Sequence, residues 1–339
     1  MTAAPETGVV IATRNRPVAL RRCLEGLAEQ SYRDFGVVVV DDGSDVPAEQ
    51  TIDGELAAAL GVRFVRQEHS SGPARARNLG VAASEAEFIV FIDDDVRPDW
   101  RLLQTLIGGL KSDSGDATHV VTFGPFVEPA DWEPTPWNRW EAQQAKHEAD
   151  DMLRGRYQPT WRQFHTGNNA MLRATFLAAG GFDDAFKRAE DDEFGLRLHL
   201  LGTKFVFIPD AIAWHYSERT LEAWLAIPRA YAHFDVRIDE MYPHMRYLAV
   251  KQRELGERHA ALLAARVLLG RPRSHPIGVT CATLAARLLY RLGATGLAMN
   301  AFSVAYDLSY TSALTSELAS RRKAGGTPPT KMARDAHLR

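Results

Sequence analysis

The sequence predicts an α/β fold: a Rossmann-like mixed sheet flanked by helices, followed by a helical C-terminal extension. Three observations predict it. Short apolar runs alternate with segments of helical periodicity through the N-terminal third. Two of those runs end in carboxylates, VVVV at Asp41-Asp42 and FIVFI at Asp93-Asp94-Asp95. Beyond Ser217 the chain reads as almost wholly helical to about Ser320.

The elements follow in order. GVVIA (8–12) reads as a buried strand, and residues 17–30 as an amphipathic helix with Leu20, Cys23, Leu24 and Leu27 at i, i+3, i+4 and i+7. Pro17 suits the first turn of that helix. FGVVVV (35–40) is apolar throughout, as a strand covered on both faces should be. Residues 49–60 read as a helix, 63–67 as a strand, 72–84 as a helix and 87–92 as a strand. Such alternation implies a doubly covered parallel sheet. The stretch 118–128 reads as one further strand, with antiparallel pairing in view. Residues 174–180 and 191–201 read as helices and 203–209 as a strand.

Length and composition bound the function. A chain of 339 residues is long enough for one large domain plus an extension, or for two domains, and its formal net charge of −3 gives no sign of nucleic-acid binding. Cys23 and Cys281 are the only cysteines and lie far apart, so no disulfide framework is expected and a reducing, cytoplasmic setting is. The N-terminus lacks a basic, apolar leader, and no uninterrupted apolar run approaches the roughly 20 residues that span a bilayer. The division expected is 1–217 for the α/β domain, in two halves that meet near residue 100. Residues 218–320 form the helical extension, and the basic, Gly- and Pro-containing 321–339 a disordered tail.

In open parallel sheets ligands bind outside the carboxyl ends of the strands. Asp41-Asp42, Asp93–Asp95 and the loop Thr13-Arg14-Asn15 are therefore expected around one crevice. No G-x-G-x-x-G follows the first strand and no G-x-x-x-x-G-K-[ST] occurs, which weighs against dinucleotide and P-loop sites. Three adjacent carboxylates repel one another and lose hydration near an interior, so a positive partner is required. A divalent cation, Mn²⁺ or Mg²⁺, would serve, with phosphate oxygens completing its shell. In an extended segment Asp93 and Asp95 would face one side. The plainer alternative is a solvated acidic loop.

Four segments in order, VVIATRNRP, VVVVDDGSD, GPARARNLG with FIVFIDDD, and GGFDDAFKRAEDDEFGLRLHLLG, together resemble the family 2 glycosyltransferases of GT-A fold. The last also resembles the matching part of galactosyl- and N-acetylgalactosaminyltransferases, which favours a UDP-linked donor. The resemblance implies that Ala12, Thr13, Arg14 and Asn15 touch the nucleotide and that Asp42 accepts from the uracil imide. Arg77, with Asn78, lies near the nucleotide, though a structural salt bridge is an equal reading. Asp93 and Asp95 match the DxD motif: Asp95 as metal ligand, Asp93 on the ribose, the donor sugar or the metal, and Asp94 beside them on the donor. His215 completes the metal shell in parts of the family.

HTGNNAMLRA matches the segment under the donor sugar, with Gly167 allowing close approach and Asn168 or Asn169 binding hydroxyls. Asp191, in the first turn of a helix starting near Glu190, is the implied base of an inverting transfer, and Glu190 binds acceptor or donor hydroxyls. A simple acid-rich helix start is the alternative for both. Trp161, with Trp132, Trp137 and Trp140, is a candidate acceptor platform or core. The expected activity is thus metal-dependent transfer from a nucleotide-diphosphate sugar to a saccharide, lipid-linked or small-molecule acceptor. A sugar-phosphate nucleotidyltransferase, a non-catalytic nucleotide-sugar binder and a retaining mechanism are the alternatives. The C-terminal helices carry no readable chemistry; they pack internally, dimerise, or meet a membrane through the basic, apolar ALLAARVLLGRPR (261–273).

Overall fold

The computed structural model describes residues 4–112, 119–256 and 275–323. The chain divides into two units: residues 1–134 with 141–218, and residues 135–140 with 219–339.

The first unit is built on a seven-stranded sheet of order β3-β2-β1-β4-β8-β6-β9. Its strands are β1 (Thr7–Thr13), β2 (Phe35–Asp41), β3 (Arg63–Arg66), β4 (Phe88–Ile92), β6 (Val120–Phe123), β8 (Asn168–Leu172) and β9 (Lys204–Phe207). β1 runs parallel to β2 and β4, β2 to β3, and β6 to β9; β8 runs antiparallel to both β4 and β6. The sheet is therefore mixed, as the sequence predicts. A second, three-stranded sheet joins β5 (Val96–Pro98), β10 (Ala213–His215) and β7 (Phe126–Val127) in the order β5-β10-β7.

The apolar alternation explains the layers. Val9, Ile11, Val37, Val39, Val90 and Ile92 point to one face, where they pack on Leu20, Leu24 and Leu27 of α1 (Pro17–Ala28) and on Leu103, Leu106 and Leu110 of α5 (Leu102–Ser112). Val38 and Val40 point to the other face, against Ala76 of α4 (Pro73–Ala82). Each fully buried aliphatic side chain contributes about 1.5–3 kcal/mol. A Cβ on Gly80 would lie 2.3 Å from Val10 Cγ1, so α4 approaches β1 closely only with glycine there. That approach sets Arg77, one turn earlier, near the strand ends.

Several sequence expectations are corrected. Residues 49–60 form two short helices, α2 (Ala48–Thr51) and α3 (Gly54–Ala59), because Ile52 is extended and Asp53 caps the second by accepting from the Glu55 and Leu56 amides. The single strand at 118–128 is two, β6 and β7, in different sheets; Pro125, between them, has no N–H to give a ladder.

β8 was not expected as a strand because it opens on two asparagines. Both are fully buried, with their amide groups donating to main-chain carbonyls: Asn168 to Ala211 and Asn169 to His165. α5 and α6 (Pro136–Leu153) are further helices, and α6 carries few apolar residues. α7 (Arg173–Ala178) and α8 (Glu190–Leu200) lie within about two residues of their expected limits.

The second unit contains α9 (Leu221–Met241), a 3₁₀ turn (Pro243–Met245), α10 (Tyr247–Gly256), α11 (His275–Arg291) and α12 (Thr295–Lys323). Trp140, Trp224, Met299 and Phe302 pack in one core; Ala232, Val236, Leu248, Tyr310 and Leu314 form another. Trp137 belongs to this packing and donates its Nε1–H to the Arg219 carbonyl. Asp235, fully buried, accepts from the Tyr247 and Tyr310 hydroxyls and pairs with Lys251. Residues 321–323, expected in the tail, continue α12 to Lys323. The rest of that tail and ALLAARVLLGRPR lie outside the described residues. Among the described residues, no helix is long and apolar enough to cross a membrane.

Candidate active site

The acid-rich end of β4 does not stay extended. Val96 N–H donates to the Asp93 carbonyl at 3.1 Å, so residues 93–96 turn, and the alternation expected to put Asp93 and Asp95 on one side does not apply. Each carboxylate of the triplet finds a different set of partners. Asp94, buried, accepts from the Thr13 hydroxyl at 2.8 Å and from Arg16 Nη1 at 3.0 Å. Asp95 accepts from the same Arg16 nitrogen at 3.1 Å and lies 3.5 Å from His215 Nε2, delivered by β10. Asp93 accepts from Arg77 Nη2 at 2.7 Å.

Arg77 makes a second bond. Its Nη1 donates to Glu190 Oε1 at 2.7 Å, so one buried guanidinium joins the end of β4 to the start of α8. Burial alone would favour neutral arginine, but Asp93 and Glu190 outweigh it and hold Arg77 cationic. The sequence reading assigned charge compensation to a divalent cation; the fold supplies much of it with Arg16 and Arg77.

Arg16 was not among the expected site residues. The demand for a cation near Asp93–Asp95 was a signal, but ATRNRP offers two arginines. The turn that selects between them passes through Asn15 at φ 54°, a local conformation the sequence does not announce. Asn15 is pinned there: its N–H donates to Ser44 Oγ, and its side chain exchanges hydrogen bonds with Asp45. Arg14 is exposed. A cavity of about 330 Å³ lies beside this loop, lined by Thr13, Asn15, Arg16, Ser44 and Asp45 among others.

The two acids after β2 divide their work. Asp41 accepts from the Ser44 and Ala48 amides and from Arg66, and so organises the turn into α2. Asp42 accepts from the Gln67 side chain, the Ser70 hydroxyl and the Ser71 and Gly72 amides, at 2.7–3.0 Å. A carboxylate offers about four acceptor positions. All are taken by the loop entering α4, so a bond from uracil requires one of these donors to leave. Asn78 likewise holds structure, donating to the Phe182 carbonyl and Asp184 and accepting from the Phe182 amide.

α8 begins with four acids, Glu190 to Glu193, which the positive end of the helix dipole favours. Glu193 is held by both ends of the Arg197 fork and Glu190 by Arg77. Burial pushes the Asp191 carboxyl well above the usual carboxylate range; Glu190 and Asp192 add to the rise, and Arg77 opposes it. Burial likewise moves Asp94 up to about 6, Asp95 adding to it against Arg16 and Thr13.

Beneath the triplet, Gly167 admits Asp93: a Cβ there would lie 2.4 Å from Asp93 Oδ2 and 2.7 Å from the Phe126 ring. The Phe126 ring stacks on His165 at 4.3 Å and meets His215, tilted, at 4.9 Å. Burial lowers His165 to about 4, so it is neutral at pH 7. Trp161 is only 7 % exposed, which leaves little of its ring for a sugar face. Trp132 packs edge-on against Tyr216.

Among the described residues no group of three or more His, Cys, Asp or Glu side chains is disposed to hold a metal ion. What is present is the Asp95–His215 pair with Asp93 nearby in the turn. Such a donor set is too sparse for a closed all-protein cage. It suits a hard cation that takes its remaining ligands from a diphosphate.

Glu148 of α6 is a half-buried acid that no motif announced. Burial, with Asp192 second, pushes its carboxyl from 4.5 up to about 7. The folded state therefore prefers it protonated. Stability is unaffected below the unfolded value and falls as pH rises through the window 4.5 to 7, by up to about 3 kcal/mol at 1.36 kcal/mol per pH unit. Glu148→Gln should raise stability at pH 8 and change it little at pH 4. Urea unfolding at the two pH values checks this; an equal offset at both would refute it.

Comparison with known proteins gives a consistent picture. The family model described as Glycosyl transferase family 2 matches residues 8–180. The pre-mycofactocin glycosyltransferase of Mycobacterium tuberculosis is 30 % identical over 219 residues, covering 64 % of this chain and 44 % of that protein. Chondroitin synthase of Escherichia coli is 28 % identical over 237 residues, 61 % of this chain and 34 % of its own length. The chain thus spans less than half the length of either relative. Among solved structures, the mannosyltransferase PcManGT of Pyrobaculum calidifontis, in complex with GDP-Man and Mn²⁺, superposes with a TM-score of 0.54 at 22 % identity, over 91 % of this chain and 88 % of that one. Residues 1–349 of S. aureus TarS, in complex with UDP-GlcNAc, superpose with a TM-score of 0.52 at 17 % identity, over 95 % and 92 %. These last two likenesses establish a shared fold.

Proposed function

Because the chain belongs to glycosyl transferase family 2, we propose that it transfers a hexosyl group from a UDP-linked sugar to an acceptor hydroxyl, with inversion at the anomeric carbon. The observation that carries this reading is the Arg77 bridge. It ties Asp93, at the donor end of β4, to Glu190, which adjoins Asp191 at the start of α8. Carboxylates for the donor and a base for the acceptor thus belong to one charged cluster.

In the reaction, the acceptor oxygen bonds to the anomeric carbon as the bond from that carbon to the diphosphate breaks. The hydroxyl proton passes to the Asp191 carboxylate. A carboxyl raised by burial and by its acidic neighbours is a stronger base than an ordinary aspartate. Glu190, held by Arg77, takes the role of binding sugar hydroxyls. Ala12, Thr13, Arg14 and Asn15 contact the nucleotide; Asp42 meets the uracil imide by exchanging a loop donor. Asp93 and Asp94 face the donor, over Gly167 and Asn168.

Asp95 and His215, with Asp93, would hold Mn²⁺ or Mg²⁺. Bound there, the ion would supply Lewis-acid stabilisation of the charge gathering on the departing diphosphate. The UDP assignment rests on the likeness of GGFDDAF…EDDEFGLR to galactosyl- and N-acetylgalactosaminyltransferases. The acceptor class is a saccharide, free or lipid-linked, or a small hydroxylic molecule.

A thermal-shift panel of nucleotide sugars, each with and without Mn²⁺, tests the reading. A ligand that binds only the folded state stabilises it, by about 2.7 kcal/mol at a hundredfold excess over Kd, and so raises the melting temperature. UDP-sugars should give the largest shift, diminished by chelator. A larger shift from GDP-sugars would overturn the donor assignment, and silence from every donor would overturn the function.

A further inference from the structure

The second unit carries an apolar stripe that neither its own packing nor the proposed chemistry uses. On α11, Ile277, Cys281, Leu284 and Leu288 recur at i, i+4, i+7 and i+11, and Leu292 continues the row just past the helix. These spacings place them on one face. The leucines and Ile277 are between 58 % and 71 % exposed, as is Leu297 in the first turn of α12, and Cys281 is exposed too. The helix already has a buried face made of Val279, Ala282 and Ala286, so the stripe is an additional surface. Single exposed leucines are ordinary, but a contiguous row of large ones marks a contact surface.

The charges decide what it meets. Residues 275–306 contain no carboxylate and two arginines, Arg287 and Arg291. Both are exposed, and they lie three residues after Leu284 and Leu288, along the edge of the stripe. A second copy of the chain fits poorly: in an isologous dimer a patch meets itself. Arginine would then face arginine, with no acid in the segment to answer it. A surface that is apolar beneath and anionic at its boundary satisfies both features. No described helix is long and apolar enough to enter such a surface as a span.

We infer that α11 and the first turn of α12 form a docking face for an anionic phospholipid bilayer, with Ile277, Leu284, Leu288, Leu292 and Leu297 entering the acyl boundary and Arg287 and Arg291 meeting lipid phosphates. This inference is independent of the donor and acceptor assignments.

Flotation of the full chain with phosphatidylcholine vesicles, with and without phosphatidylglycerol, tests it. The protein should rise with the phosphatidylglycerol vesicles and stay behind with phosphatidylcholine alone. Arg287→Gln with Arg291→Gln should weaken binding roughly 30-fold, since each basic residue near an anionic surface contributes about fivefold in partition. Leu284→Glu with Leu288→Glu should abolish it, with far-UV circular dichroism and melting temperature unchanged because both sites are exposed. Absence of flotation at every composition would overturn the inference, as would binding indifferent to both charge and leucine changes. Sedimentation equilibrium showing a dimer that Leu284→Glu dissociates would also overturn it and assign the face to a second copy.

Discussion

Asp191→Asn is expected to reduce turnover by about two to four orders of magnitude, the usual contribution of a positioned general base, while leaving donor affinity within a few-fold of wild type. The split follows from the contacts. Asp93 and Asp95 draw on Arg77, Arg16 and His215, and none of those bonds passes through Asp191. Asparagine keeps the shape and loses the proton acceptor. The pH profile is the second readout. Burial, then Glu190 and Asp192, raise the Asp191 carboxyl in the folded protein, so its base form appears only above the ordinary carboxylate range. The acidic limb of turnover in the wild type should therefore lie higher than a free aspartate would give, and the residual activity of the variant should lose that limb. Asp191→Glu, which keeps the base at a longer reach, should recover part of the rate. Near-wild-type turnover in Asp191→Asn would remove Asp191 from the chemistry.

The parallel half of the sheet was legible because its signal is local. VVIA, VVVV and FIVFI are apolar on both faces, and α1, which covers one of them, shows a clear apolar period and opens on Pro17. The antiparallel half was less legible. β8 lies between β4 and β6, yet it begins with Asn168 and Asn169, whose burial is stabilised by the carbonyl of Ala211, 43 positions away, and by that of His165, four residues back in a segment with no regular pattern. In the site, residue types were readable and partners were not. Asp93 and Glu190 stood out as acids in family-like motifs, whereas their sharing of Arg77 spans more than a hundred positions, |i−j| being 113 for Arg77 and Glu190. Arg16 escaped for the same reason. Its link to Asp94 and Asp95 joins the ends of two strands adjacent in space and remote in the chain.

Arg77→Met should produce the largest loss of stability among single changes at the site. Methionine fills much of the volume and leaves Asp93 and Glu190 without the cation they share. Breaking a buried ion pair by removing one partner costs 3–5 kcal/mol where the remaining charge is fully buried. Here the Asp93 side chain is 36 % exposed and that of Glu190 10 %, so about 3 kcal/mol is expected. Lysine should recover only part, since an ammonium acts as a point charge and the two bonds depend on the planar fork.

A purely structural role predicts the melting shift alone, but the geometry predicts a kinetic effect as well. Arg77 is the one group among those shaping Asp191's titration whose charge opposes the rise. Without it, Asp191 should titrate higher still, and the acidic limb of residual turnover should move up in pH. Urea unfolding with a pH–rate profile on Arg77→Met separates the two effects. Unaltered stability would refute the bridge as a fold element. Lost stability with an unmoved limb would confine Arg77 to architecture and remove it from the control of the base.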